Sequence, residues 1–264
     1  MAAVRSILRS AIPIKKMKVS KNLIATIYGK SGSGKTTLAA SSTSETNRAL
    51  LLDMGEHGAV SIIDNDYLDI MNVDNTQDVD KIVTALETDD IYHTVIVDSV
   101  QTLSSIVIGQ VRKVRSLAFV DDKNLTQAEW GQVSYYMVKF IVDMNTIARR
   151  LGKNMIYICD DREVVAPDGD SMFVPNLQAS VERSLVGRSD CVIYTFIRSS
   201  TEGIGSDSKE ITEFCANIGP SKELVAKVRK PKSVEVDSIV VDPTWDKIVD
   251  IINDSVHKRV PGEK

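Results

Sequence analysis

Short, almost wholly apolar runs alternate along the chain with longer stretches of helical spacing. Residues 23–28 (LIATIY), 49–53 (ALLLD), 94–98 (TVIVD) and 154–159 (NMIYIC) are rich in β-formers and apolar at successive positions. Such runs predict strands covered on both faces rather than strands with one wet side. Residues 68–71 form a weaker strand signal, and 191–197, 211–216 and 224–228 predict further strands. Helical spacing predicts helices starting at 36–42 and over 79–86, 99–114, 127–151 and 245–256. In 99–114 the apolar positions are Val100, Leu103, Val107 and Val111. In 127–151 the stripe is Trp130, Val133, Met137, Phe140, Ile141, Met144 and Ile147. Polar residues 118–125 predict a loop. So do residues 160–180, which contain Pro167, Gly169 and Pro175.

Apolar strands alternating with helices imply an α/β fold: a mainly parallel central sheet with helices on both faces. The later strands crowd together without long helices between them, which implies an antiparallel C-terminal edge. No repeat or linker divides the chain, so a single domain over residues 21–264 is expected, preceded by an arm at residues 1–20.

Composition refines this picture. The chain has 264 residues, 43% apolar and 26% charged. A domain of that size buries enough surface to need no disulfide or metal staple. No apolar run approaches the ~20 residues needed to cross a bilayer, so a membrane protein is not expected. Cys159, Cys191 and Cys215 show no metal-ligand spacing. They suit buried reduced thiols and a cytoplasmic setting. Charge is uneven. The net value is −4, yet no acid precedes Glu45 while Arg5, Arg9, Lys15, Lys16, Lys18, Lys21, Lys30 and Lys35 give +8, leaving −12 for the rest. The basic arm has three readings: a transit peptide, a contact with nucleic acid or a neighbouring subunit, or a solvated lead-in to the first strand.

The chemistry begins at Gly29-Lys30-Ser31-Gly32-Ser33-Gly34-Lys35-Thr36-Thr37, which fits GxxxxGK[ST] and lies between an expected strand and helix. The glycines let backbone N–H groups curl around phosphates, and the following helix adds its positive end. Lys35 would reach the β- and γ-phosphates of ATP, and Thr36 would offer its hydroxyl to Mg²⁺. Asp98, closing an apolar strand downstream, would hold the same ion, through water. Ser99 follows it, where many ATPases of the AAA+ type carry a catalytic Glu. A base must therefore come from elsewhere, and Glu56 in Asp53-Met54-Gly55-Glu56-His57 is the best match, with Asp53 next.

These segments resemble RecA-type ATPases. Residues 51–57 (LLDMGEH) are similar to their strand-plus-Glu segment, with one extra residue between Asp and Glu, and 95–103 (VIVDSVQTL) to their metal-Asp strand. Lys227-Val228-Arg229 resembles the basic pair that RecA, DnaB-type helicases and KaiC-type proteins insert into a neighbour's nucleotide. The resemblance spans roughly residues 20–245. The small size, Trp130-Gly131-Gln132-Val133 and the compact C-terminus look most like phage-encoded RecA-fold ATPases, some of which are single-strand annealing proteins.

The resemblance implies ATP and Mg²⁺ as ligands and catalysis by Lys35, Glu56 and Asp98. It also implies head-to-tail self-assembly as a ring or filament, with Lys227 and Arg229 acting in trans. Single-stranded DNA is the implied partner, together with a single-strand-binding protein, in the cytoplasm of a host cell. The sequence departs from RecA after the fourth strand, where a polar sensor gives way to Asp160 and Asp161. The following loop carries Asp160, Asp161, Glu163, Asp168 and Asp170 against Arg162 alone, a poor surface for nucleic-acid phosphates. Arg112, Lys113, Arg115 and Lys123 are better DNA candidates. Two rivals share the core: a regulatory or protein-remodelling ATPase with no DNA role, and a module that holds ATP as a structural ligand.

Overall fold

The computed structural model describes residues 22–55, 62, 64–114, 125–165, 169–202, 209–229 and 238–257. The basic arm at 1–20, Glu56, Arg115 and Lys123 lie outside these residues.

Among the described residues the elements follow in chain order: β1 (Ile24–Gly29), α1 (Lys35–Ala40), β2 (Ala49–Asp53), β3 (Leu68–Asn72), α2 (Thr76–Leu86), β4 (Thr94–Asp98), α3 (Val100–Val114), α4 (Gln127–Leu151), β5 (Asn154–Cys159), β6 (Asp161–Val165), β7 (Ser171–Pro175), α5 (Ala179–Arg188), β8 (Cys191–Glu202), β9 (Lys209–Asn217), β10 (Lys227–Val228), β11 (Ile239–Val241) and α6 (Trp245–His257). The main sheet runs β11-β9-β8-β1-β5-β4-β2-β3, with β10 paired to β8. Strands β3, β2, β4, β5, β1 and β8 are parallel, and β9, β10 and β11 join antiparallel, which is the edge the sequence predicts.

The parity of each strand explains why so many of these runs are apolar throughout. Ile24 and Tyr28 of β1, Val95 and Val97 of β4, and Met155 and Tyr157 of β5 face α2, α3, α4 and α5. Ala25 and Ile27, Ile96, and Ile156 and Ile158 point the other way, toward α1 and α6. Helix α4 starts and stops on local signals. Thr126 caps it in a reciprocal box with Glu129, and Gly152 ends it in the left-handed conformation at φ 66°. Trp130 sits at the edge of its stripe, partly buried, while the other six stripe residues are buried.

Residues 160–180 are not the loop the sequence predicts. β6 and β7 form a separate antiparallel hairpin there, and α5 follows at Ala179. Helix α5 buries only Val181 and Leu185, so its sequence carries too little apolar periodicity to announce it. The expected strand 224–228 shrinks to Lys227–Val228 plus an isolated bridge from Leu224 to Phe173. Strand β11, three residues with only Val240 buried, has no local signal at all. All three cysteines are free and buried, and burial pushes the Cys191 thiol up to about 12, so it stays protonated. Among the described residues, no helix is long and apolar enough to cross a membrane.

Candidate functional site

Strand β1 lies between β5 and β8, while the chain leaving it crosses over β5 and β4 to form β2. That reversal opens a crevice at the carboxyl ends of the strands, where open α/β sheets place ligands. The loop Gly29–Thr37 fills it. Gly29 is required by its neighbour: a Cβ there would stand 2.2 Å from the Thr195 carbonyl oxygen of β8. Gly34 has φ 86°, and a Cβ there would lie 3.3 Å from the Phe214 ring. Ser33 is buried, and its hydroxyl shares a 2.7 Å hydrogen bond with Thr195 Oγ1 of β8. Both the Gly29 and the Ser33 contacts thus pin the loop to β8 at Thr195.

Lys35 folds back over this loop. Its Nζ donates to Gly29 O at 2.9 Å, Lys30 O at 3.0 Å and Asp160 Oδ1 at 2.9 Å. Beside it, Thr36 Oγ1 donates to Asp98 Oδ2 at 2.7 Å. A hydroxyl and a carboxylate side by side are the hard oxygen donors a small divalent cation prefers, and an ammonium in a glycine-rich loop suits phosphate. The residues present therefore fit a magnesium nucleotide: Gly29–Thr37 and Lys35 for phosphates, Thr36 and Asp98 for the ion. Lys30 is exposed at the loop's edge, 5.7 Å above the Phe173 ring of β7.

Strand register sets the neighbours. Asp53 and Asp98 are paired across β2 and β4. Met54 N donates to Asp98 O at 2.8 Å, and Asp53 Oδ1 accepts from Gly55 N at 2.8 Å. The segment leading to Glu56 therefore leaves the sheet beside Asp98. Glu56 itself is outside the described residues.

The other sequence candidates lie apart from this cluster. Lys227 opens β10 and Arg229 follows it; β10 pairs with the first residues of β8, whereas Thr195 meets the phosphate loop. Four residues of strand separate Cys191 from Thr195, roughly 13 Å. Lys227 donates to Val186 O and Arg229 to Gly187 O, so both cap the carboxyl end of α5, where positive charge is favourable. Burial, followed by the nearby Arg229, lowers the Lys227 pKa. Arg112 and Lys113 occupy the last turn of α3.

Two participants escaped the sequence reading. Asp160 was legible only as a departure from a sensor, although it follows an apolar strand much as Asp98 closes one. Gln101 clamps it: Gln101 Nε2 donates to Asp160 Oδ2 at 2.6 Å, and Asp160 N donates to Gln101 Oε1 at 2.9 Å.

No curated protein matches the chain. A family described as AAA domain matches residues 21–230, which spans every strand from β1 to β10 and all of the phosphate loop. With the parallel sheet, the switch-point loop and the Thr36–Asp98 pair, this match makes the chain a member of that AAA-domain family of P-loop ATPases.

Proposed function

We propose that the chain binds Mg²⁺–ATP at Gly29–Thr37 and hydrolyses it, as a RecA-like core of the phage-encoded type that handles single-stranded DNA. The observation that carries the ATP reading is the 2.7 Å contact between Thr36 and Asp98 beside Lys35. Three groups from two elements far apart in sequence, the start of α1 and the end of β4, are suited to one ligand and converge there. Bound Mg²⁺ supplies charge neutralisation for the phosphates. Lys35 binds phosphate oxygens, Thr36 and Asp98 hold the ion, and Glu56 takes a proton from the attacking water. Ser99 has no carboxylate for that task.

The head-to-tail arrangement is supported by where the basic pair sits. Lys227 and Arg229 lie beside the amino end of β8, roughly 13 Å of strand from the residue that meets their own phosphate loop, so a role on nucleotide would be played on a neighbour's. A DNA role is supported by Arg112 and Lys113 at the end of α3, continuing into Arg115 and Lys123. One observation favours the protein-remodelling alternative. An apolar groove between α3 and α4 is lined by Val107, Val111 and Tyr135, and Tyr135 is 71% exposed. Such a surface suits a protein better than a phosphate backbone.

ATP turnover measured with and without single-stranded DNA tests both. Turnover is expected to rise with DNA, to fall as salt releases the DNA, and to vanish in a folded Lys35→Ala variant. Unchanged turnover in Lys35→Ala removes the ATP assignment. Absence of single-strand binding even at low salt moves the function to the protein-partner reading.

A further inference from the structure

An ammonium has three protons and no lone pair, and all three of Lys35's are taken, by Gly29 O, Lys30 O and Asp160 Oδ1. The two carbonyls belong to the phosphate loop and travel with the lysine. Asp160 comes from elsewhere, just past β5, and is held from behind. Gln101 grips its Oδ2 and its backbone N–H, and Asn176 N donates to Asp160 O at 2.8 Å. Its carboxylate is thus fixed over the cradle independently of the loop it touches.

We propose that Asp160 is a positioning residue that acts through Lys35 to set the preference of this site between nucleoside diphosphate and triphosphate. The proposal rests on the nucleotide reading above. Lys35 can accept a phosphate oxygen only by releasing one of its three partners. Phosphate repels the full charge of a carboxylate more strongly than the dipole of a peptide carbonyl, so Asp160 is the partner that yields. A diphosphate asks the lysine for its β-phosphate alone, and Asp160 can keep a share of the ammonium. A triphosphate asks for β- and γ-phosphates together, and its added charge meets the carboxylate that Gln101 holds in place. Asp160 therefore disfavours the triphosphate more than the diphosphate. Its side chain is 43% exposed, so solvent screens the repulsion and the expected effect is on the order of tenfold rather than hundreds.

The test measures equilibrium affinities for Mg²⁺–ATP and Mg²⁺–ADP by calorimetry, so no turnover is needed. In Asp160→Asn the ATP-to-ADP affinity ratio is expected to rise about tenfold. In Gln101→Ala, which frees the carboxylate to swing away, it is expected to rise by a smaller factor. A merely structural loss would weaken both nucleotides alike and leave the ratio unmoved. An unchanged ratio in folded Asp160→Asn overturns the proposal, and should that variant not fold, an unchanged ratio in Gln101→Ala does so. If the wild-type protein binds neither nucleotide, the nucleotide reading itself falls and takes the proposal with it. That result is distinct from binding with an unmoved ratio.

Discussion

Glu56 and Asp53 compete for the role of base, and the surroundings of Asp53 weigh against it. Asp53 is 4% exposed, and one of its carboxylate oxygens accepts the Gly55 N–H, so its side chain is spent on shaping the turn after β2. Glu56 follows that turn in sequence and lies outside the described residues. Glu56→Gln removes the proton acceptor but keeps the size and polarity of the side chain. It is expected to leave ATP affinity near wild type while slowing hydrolysis by about 10²-fold or more. Single-turnover hydrolysis together with nucleotide affinity checks this. Normal hydrolysis in Glu56→Gln with slow hydrolysis in Asp53→Asn would transfer the role to Asp53.

Where α4 meets β5, a buried ion pair joins Lys153 to Asp89. Gly152 ends the helix, and Lys153, its side chain 5% exposed, donates to Asp89 Oδ2 at 2.7 Å and to Tyr92 O. Burial pushes the Asp89 pKa up. The hydrogen bond from Lys153 and those from the Tyr92 and Ile91 N–H groups outweigh it and hold the carboxyl below its usual range. A carboxylate depressed in the folded state contributes stability above its unfolded pKa of about 3.9, and that contribution is lost as pH falls through the folded value. Denaturant unfolding at pH 7 and near pH 3 is expected to show a pH-dependent loss that shrinks in Asp89→Asn. Lys153→Met leaves Asp89 buried without its cation and is expected to cost about 3–5 kcal/mol at pH 7. The pair lies at the amino ends of the strands, opposite the phosphate loop, so turnover per folded molecule should be unaffected. A variant that loses nucleotide affinity while staying fully folded would contradict that separation.

Assembly is the question that a single chain leaves to its neighbours. If Lys227 and Arg229 serve an adjoining subunit's nucleotide, they must leave the α5 carbonyls that they cap within their own chain. Loss of a group that stabilises charge developing in the transition state costs turnover more than affinity. Turnover is then expected to depend on protein concentration, and Arg229→Ala is expected to hydrolyse slowly. Mixing Glu56→Gln with Arg229→Ala is the decisive measurement, because some mixed interfaces pair an intact Glu56 with an intact Arg229. Partial recovery is expected. No recovery at any ratio, with co-assembly confirmed by light scattering, rules out a shared site.

Local chemistry made much of this molecule legible. The phosphate loop reads from spacing because its glycines, lysine and threonine act within nine consecutive residues. Helix α4 runs over the residues its periodicity predicts, since Thr126, Glu129 and Gly152 write its ends into the chain. Strands β1, β2, β4 and β5 read from uniform apolarity, because each buries both faces. Other features required the folded chain. The β6–β7 hairpin, α5 and β11 bury too few side chains to leave a period, and they exist through pairing and packing with distant partners. Asp160 reaches Lys35 across 125 positions of sequence, and Lys227 reaches Val186 across 41. A short-range pattern records what a residue does with its neighbours three or four positions away. Ion pairs and helix caps made across the fold depend on strand order and register, and these become defined when the sheet closes around β1.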